Sequence, residues 1–171
     1  MKRVSTVIFL VFVLALFSCA KTKSPTHPEP TPTPVITVFP GETWKLETSG
    51  AAFPDREDHT SVVFDGKMWV IGGYSDGLGI YLNDVWQSSD GANWTEVTAA
   101  AQFSARAGHC SAVFDGKMWV IGGREMSFDL GDVWSSTDGI TWTDVTPPLG
   151  VGAFWKSTAV VYDSKLWVIG G

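Results

Sequence analysis

Val63-Phe64-Asp65-Gly66-Lys67-Met68-Trp69-Val70-Ile71-Gly72-Gly73 recurs residue for residue at Val113 to Gly123. It returns once more, loosened, as Val161-Tyr162-Asp163-Ser164-Lys165-Leu166-Trp167-Val168-Ile169-Gly170-Gly171. The two steps are 50 and 48 residues. Other landmarks keep pace: Trp44, Trp94 and Trp142; Asp84-Val85-Trp86 and Asp132-Val133-Trp134; His59 and His109. A period near ~50 residues marks a solenoid, a propeller or an array.

One repeat reads as four strands. Thr60 to Phe64 is the first, and Asp65-Gly66 is a two-residue hairpin signal because both central positions of that turn want φ > 0. Lys67 to Ile71 is the second, expected to end at Gly72-Gly73, where missing side chains let neighbouring backbone approach. Asp84 to Ser88 is the third, Asp90-Gly91 a further hairpin turn, and Trp94 to Val97 the fourth. The next repeat follows with Asp115-Gly116 and Asp138-Gly139. Met68 and Val70 point one way and Trp69 and Ile71 the other, so the second strand is apolar on both faces and fits between adjacent sheets.

The Gly-Gly doublet after an apolar strand, the aromatic two residues after an Asp on the third strand, the Trp opening the fourth and the step of ~50 residues together resemble kelch repeats, which build β-propellers. The likeness covers residues 43 to 171. Ser89-Asp90-Gly91-Ala92-Asn93-Trp94 and Thr137-Asp138-Gly139-Ile140-Thr141-Trp142 also resemble the Asp-box turn of sialidase-type propellers, with an Asp-to-Trp spacing one residue short. The fold class is therefore all-β, a kelch-type β-propeller present here as about two and a half four-stranded blades. Since a ring needs roughly 4 to 8 blades and an open stack exposes apolar faces and strand edges, the leading expectation is an N-terminal fragment of a longer chain. The alternative is a ring of protomers. In a closed ring the strand Thr43 to Glu47 would complete the last blade from outside.

The chain has 171 residues with 44% hydrophobic, 18% charged, 9 Trp and 2 Cys, which excludes a disordered chain and a disulfide scaffold. Its formal charge of -6 excludes the basic excess that non-specific nucleic-acid binding needs. Lys2 and Arg3 precede an uncharged apolar run, Val7 to Phe17, too short to span ~30 Å of hydrocarbon. Leu16-Phe17-Ser18-Cys19 resembles a bacterial lipobox, which implies that residues 1–18 are a lipoprotein signal peptide and Cys19 the lipidated mature N-terminus; the alternative is an ordinary signal peptide with a chance cysteine, whose Ala-x-Ala-like cleavage site Leu16 and Phe17 fit poorly. Ala20 in place of the retention Asp implies, in a cell with two membranes, an outer-membrane lipoprotein, periplasmic or surface-facing. Loss of Lys2 and Arg3 leaves 10 basic against 18 acidic residues, a balance of −8, so the lipid is the only expected membrane attachment. Residues 19–40 hold six of the nine prolines and read as a polyproline-rich tether, with apolar Val35 to Phe39 able to dock on the domain. Residues 41–171 carry the repeats.

The loops between second and third strands and between blades share one face, and binding favours such loops. That face collects Asp55, Arg56, His59, Tyr74, Asp76 and Tyr81 from the first repeat. The second adds Arg106, His109, Arg124, Glu125 and Asp129, and the third Trp155 and Lys156. Arg56 and Arg106 share an Arg-x-x-His spacing. The kelch resemblance implies that such arginines face the channel mouth and contact ligand, and a guanidinium suits a carboxylate. The competing reading is that arginine and histidine tie the loop to the strand end. The third repeat departs from both, with Phe154 and Ser157 at these positions. Eight of the nine tryptophans sit at repeat positions and read as packing residues. Trp155 falls outside the pattern and is the candidate ligand platform. Candidate ligand-binding residues are thus Arg56, Arg106, Tyr74, Arg124 and Trp155. Cys110 reads as a buried thiol, and Asn93-Trp94-Thr95 is a sequon with little meaning in a bacterial envelope.

No Cys/His metal spacing, Ser/His/Asp elbow or phosphate loop is present in the sequence, and no cofactor, metal or catalytic residue is implied. The expected function is a membrane-anchored binding module for a protein or glycan at the cell envelope, with no nucleic-acid partner. The alternative is a carbohydrate-active kelch enzyme, galactose-oxidase-like or like a sialic-acid mutarotase, with its catalytic residues in further blades. A purely architectural role is the third reading.

Overall fold

The structure, a computed structural model, describes residues 35–37, 45–148 and 152–171. The leader, Cys19, Trp44 and all of the tether except Val35 to Thr37 lie outside the described residues. Within them every regular element is a strand: β1 (Val35–Thr37), β2 (Lys45–Thr48), β3 (Thr60–Phe64), β4 (Lys67–Ser75), β5 (Ile80–Ser88) and β6 (Thr95–Thr98), then β7 (Cys110–Phe114), β8 (Lys117–Glu125), β9 (Phe128–Ser136) and β10 (Thr143–Asp144), and finally β11 (Thr158–Tyr162) and β12 (Lys165–Ile169). β3-β4-β5-β6 and β7-β8-β9-β10 are two antiparallel four-stranded blades in sequence order, and β11 pairs with β12 as the inner half of a third. The result is a partial β-propeller.

The β3–β4 turn has φ of 49° at Asp65 and 70° at Gly66, and the β7–β8 turn repeats it with 51° at Asp115 and 66° at Gly116. The third turn uses Asp163 and Ser164 at 51° and 54°. Each hairpin is closed by an indole. Trp69 Nε1 donates to the Phe64 carbonyl at 2.9 Å, Trp119 to Phe114 at 2.8 Å and Trp167 to Tyr162 at 3.0 Å.

Two local expectations are corrected. The glycine doublets do not end the second strands. β4 and β8 run on to Ser75 and Glu125, with a register shift between Ile71 and Gly73 and between Ile121 and Gly123. The reason is room: a Cβ on Gly73 would lie 2.8 Å from the Glu57 carbonyl oxygen, so the doublet bulges the strand to admit a crossing segment. Nor are Asp90-Gly91 and Asp138-Gly139 two-residue turns. Asp90 Oδ1 accepts from the amides of Ala92 and Asn93 at 2.9 and 2.8 Å, and Ser88 Oγ accepts from Gly91 N at 2.8 Å. Asp138 and Ser136 repeat this arrangement. A carboxylate that caps two amides within its own loop stabilises a wider turn than φ > 0 at two residues would.

The change of step from 50 to 48 residues has one location. The β4–β5 tip spans four residues, Asp76 to Gly79, whereas the β8–β9 tip spans two, Met126 and Ser127. Asp55 steadies the longer tip, accepting from Ser75 Oγ and Gly77 N, both at 3.2 Å. Ala105 holds that position in the second repeat and cannot do so.

β8, the second strand of the second blade, is packed on both faces, as its pattern requires. Trp69, Ile71 and Val85 of the first blade pack on Met118 and Val120 of the second. Ile121 and Val133 pack on Leu166 and Val168 of the third. β2 is not a lone strand: it pairs with β1, Ile36 opposite Leu46.

Candidate functional site

Three short segments thread between the blades at the inner end of the sheets: Arg56 to His59, Arg106 to His109, and Phe154 to Ser157. Each has its third residue in the left-handed region, Asp58 at 50°, Gly108 at 62° and Lys156 at 59°. Main-chain bonds tie these segments within a blade, between blades or, for Arg106 to His109, both ways. Within a blade, Glu57 N donates to Tyr74 O at 2.8 Å and Ala107 N to Arg124 O at 3.1 Å. Between blades, Arg106 N donates to Leu82 O and Gly73 N to Arg106 O, both at 2.9 Å. Phe154 takes the same two bonds one blade on, with Leu130 and Gly123. These bonds are main-chain, so the third repeat keeps the crossing without its arginine.

Arg56 and Arg106 lie inside the blades and not at the channel mouth. Arg106 Nη1 and Nη2 reach the two oxygens of Asp132 at 2.6 and 2.7 Å, and Nη1 also reaches the Gly122 carbonyl at 2.9 Å. Nε and Nη2 donate to Ser104 O and Ser104 Oγ. All five guanidinium donors are thereby used. Arg56 holds Asp84 in the same two-pronged way at 2.8 Å and reaches Gly72 O. Neither guanidinium side chain has exposed surface, and neither offers a ligand a donor. Trp86 and Trp134 add indole donors to the same carboxylates at 2.7 and 2.6 Å. This explains the Asp two residues before each aromatic: it anchors arginine and indole together.

The histidines are structural in their surroundings. His109 Nε2 lies 2.7 Å from Thr60 Oγ1 across the blade contact. Burial, followed by the charge of Arg106, pushes its pKa down to about 3. Burial and Arg56 take His59 down to about 4. Cys110 is a buried thiol near Ile121 O and Ser157 Oγ, its pKa raised by burial.

The remaining three candidates come together. Tyr74, Arg124 and Trp155, one from each repeat, line a cleft of about 320 Å³ with Glu57, Tyr81, Met126 and Lys156. The Arg124 guanidinium carbon stands 3.9 Å above the Trp155 ring and Lys156 Nζ 4.9 Å from it. Arg124 Nε donates to Asp129 Oδ1 at 2.7 Å, and this bond raises the arginine pKa further. Lys156 Nζ is 3.2 Å from Asp58 Oδ2. Tyr74 and Tyr81 meet edge to face at 5.0 Å. Met126, in this lining, is 72% exposed. Trp155 is thus not an open sugar platform, because cations occupy its surface.

The cleft falls where the repeats differ. Glu57, Ala107 and Trp155 are equivalent positions, as are Asp58, Gly108 and Lys156, and Tyr74 and Arg124. The scaffold positions beside them keep Gly-Gly, Asp and Trp. Sequence reasoning did not single out Glu57, Asp58 or Met126, and the divergence between aligned repeats was the signal available for them. Among the described residues no group of three or more His, Cys, Asp or Glu side chains could hold a metal ion.

The family described as the KLHDC2/KLHL20/DRC7 Kelch-repeats domain matches residues 35–171. The match begins inside the stretch read as tether, at the first residue of β1. No curated protein matches the chain.

Proposed function

The chain belongs to the kelch-repeat family, and from that premise we propose that it is a protein-binding propeller module whose recognition surface is the Tyr74–Arg124–Trp155 cleft. The observation that carries this reading is the convergence of the divergent positions. The repeats keep their first hairpins, glycine doublets and tryptophans, while positions at which they differ, Glu57, Ala107 and Trp155, Asp58 and Lys156, and Tyr74 and Arg124, meet in a single cleft. Aromatic and arginine side chains are the types that dominate protein interfaces, and the lining adds exposed Met126. A protein segment fits this surface better than a glycan, which needs an open aromatic face, and Arg124 covers that of Trp155.

The module works tethered to a membrane. The lipobox-like Leu16-Phe17-Ser18-Cys19 and the proline-rich residues 19–40 support attachment through a lipid on Cys19, at the cell envelope and on its outer membrane. Two experiments test the pair of proposals. A photo-crosslinking residue at Tyr74, introduced into the native protein, yields a discrete protein adduct that Trp155→Ala removes; absence of any adduct would sink the cleft as a recognition site. Metabolic labelling with an alkyne fatty acid marks the wild-type protein and not Cys19→Ser; equal labelling of both would sink the anchor.

A further inference from the structure

Two rows of side chains meet at the cleft, each crossing three segments of one blade. Glu57 forms an antiparallel bridge with Tyr74, and Tyr74 lies opposite Tyr81 in the β4–β5 register. Opposed residues share a face of the sheet, so a carboxylate and two phenols stand side by side, the rings edge to face at 5.0 Å. The second blade builds the same row from Ala107, Arg124 and Asp129.

The charges of the two rows are met differently. In the second row Arg124 Nε donates to Asp129 Oδ1 at 2.7 Å, so the row neutralises itself. The third repeat adds Lys156, held by Asp58 at 3.2 Å. Both cations also lie against the Trp155 ring. Among the described residues no counter-ion or hydrogen-bond donor reaches the exposed Glu57 carboxylate. The cleft is lined by four charged side chains, Glu57, Asp58, Arg124 and Lys156, and its one unmatched charge is an anion beside two aromatic rings.

On the reading that this cleft is the recognition surface, we infer that it selects a protein segment by a lysine or arginine side chain, whose cation lies between the Glu57 carboxylate and the Tyr74–Tyr81 pair. A carboxylate pairs with an ammonium or guanidinium, and an aromatic face attracts the same cation. The apolar stem of such a side chain covers the tyrosine rings while its charged end reaches Glu57. An acidic side chain in that place would meet Glu57 as a like charge, and Arg124 already shares its charge with Asp129. The chain's formal charge of -6 draws a basic segment in from a distance.

Selection of a phage-displayed library of random peptides on the purified chain tests this. The selected peptides carry Lys or Arg at one recurrent position. A fluorescein-labelled copy of one of them, followed by anisotropy, binds Glu57→Gln about fivefold more weakly than wild type. Glu57 is exposed and its segment is held by main-chain bonds to Tyr74, so this variant folds. Charge exchange supplies a readout that a structural role would not move: Glu57→Lys loses the peptide and regains a version in which Glu replaces the basic residue. Equal binding to wild type and Glu57→Gln, or failure of the exchanged pair, would overturn the proposal. Selected peptides that share no basic residue but are lost with Trp155→Ala would also overturn it, and would leave the cleft as the recognition surface. No selection at all, or peptides that bind Trp155→Ala unchanged, would overturn the cleft itself and the cation with it.

Discussion

Arg106 and Asp132 form a two-pronged ion pair inside the second blade, with Nη1 to Oδ1 at 2.6 Å and Nη2 to Oδ2 at 2.7 Å. The pair joins the segment that enters the blade to the third strand, and through the Gly122 carbonyl it reaches the bulge of the second. One side chain thus fixes three parts of a blade that sequence places 26 residues apart at the widest. Arg56 and Asp84 repeat the device one blade earlier.

Removing one partner of a buried pair strands the other. Arg106→Ala leaves the Asp132 carboxylate with the Trp134 indole as its remaining side-chain donor, and the expected loss is about 3–5 kcal/mol of unfolding free energy. Arg106→Lys does not restore it, because one ammonium cannot span two carboxylate oxygens and a carbonyl. Urea unfolding decides the matter: an Arg106→Ala midpoint equal to wild type would show that the pair carries no stability.

Acid destabilises the fold through its histidines before its carboxylates titrate. His59 and His109 have folded-state pKa values of about 4 and about 3, lowered first by burial and then by Arg56 and Arg106. Unfolded, both take a proton near pH 6.5, so the unfolded state binds protons that the folded state refuses. Stability is complete above pH 6.5 and falls as pH drops from there toward 4, by up to about 1.4 kcal/mol per pH unit for each histidine. Urea midpoints at pH 7 and pH 5 measure the slope, and His109→Gln flattens it. Equal midpoints at the two pH values would mean that neither histidine resists protonation.

Two glycines of like backbone conformation separate strain from packing. Gly116, φ 66°, has open space where a Cβ would stand, whereas a Cβ on Gly139, φ 75°, would overlap the Trp69 ring of the neighbouring blade. Gly116→Ala carries only the left-handed penalty of about 1–2 kcal/mol. Gly139→Ala adds an overpacking cost of about 1–3 kcal/mol. Equal losses in thermal or urea unfolding would mean that the blade contact yields freely at Trp69.

Much of this was legible because the repeats are an internal alignment. The strand pairs, the Asp-Gly turns at Asp65 and Asp115 and the two-sided burial of the second strand follow from periodicity and turn chemistry. The glycine doublet misled, because absent side chains permit a bulge as readily as they mark an end, and only the position of Glu57 decides between them. Arg56 and Arg106 were ambiguous for a related reason. The same guanidinium suits a ligand carboxylate or Asp84 and Asp132, and which it meets depends on contacts 28 and 26 residues distant. The cleft was half legible: Tyr74, Arg124 and Trp155 stood out by type, but their convergence is a property of how the blades stack.

The two sets of arginines should therefore separate in experiment. Arg124 is stacked on Trp155 and bonded to Asp129 at the mouth of the cleft, outside the packed interior, so Arg124→Ala leaves the unfolding midpoint unchanged while weakening partner binding. Trp155→Ala does the same to binding, since it removes both the aromatic surface and the support of Arg124. Gly108→Ala acts at one remove: a Cβ there would stand 2.5 Å from Trp155 Nε1 and would turn the indole out of place, while its φ of 62° adds a stability loss of about 1–2 kcal/mol. Arg56→Ala and Arg106→Ala give the opposite pattern, a large fall in stability, and partner binding that follows only the fraction of folded protein. Crosslinking yield at Tyr74 and the urea midpoint, measured side by side on all five variants, distinguish the sets. If Arg124→Ala unfolded the protein as readily as Arg106→Ala, the cleft would be part of the scaffold and recognition would have to lie elsewhere on the loop face.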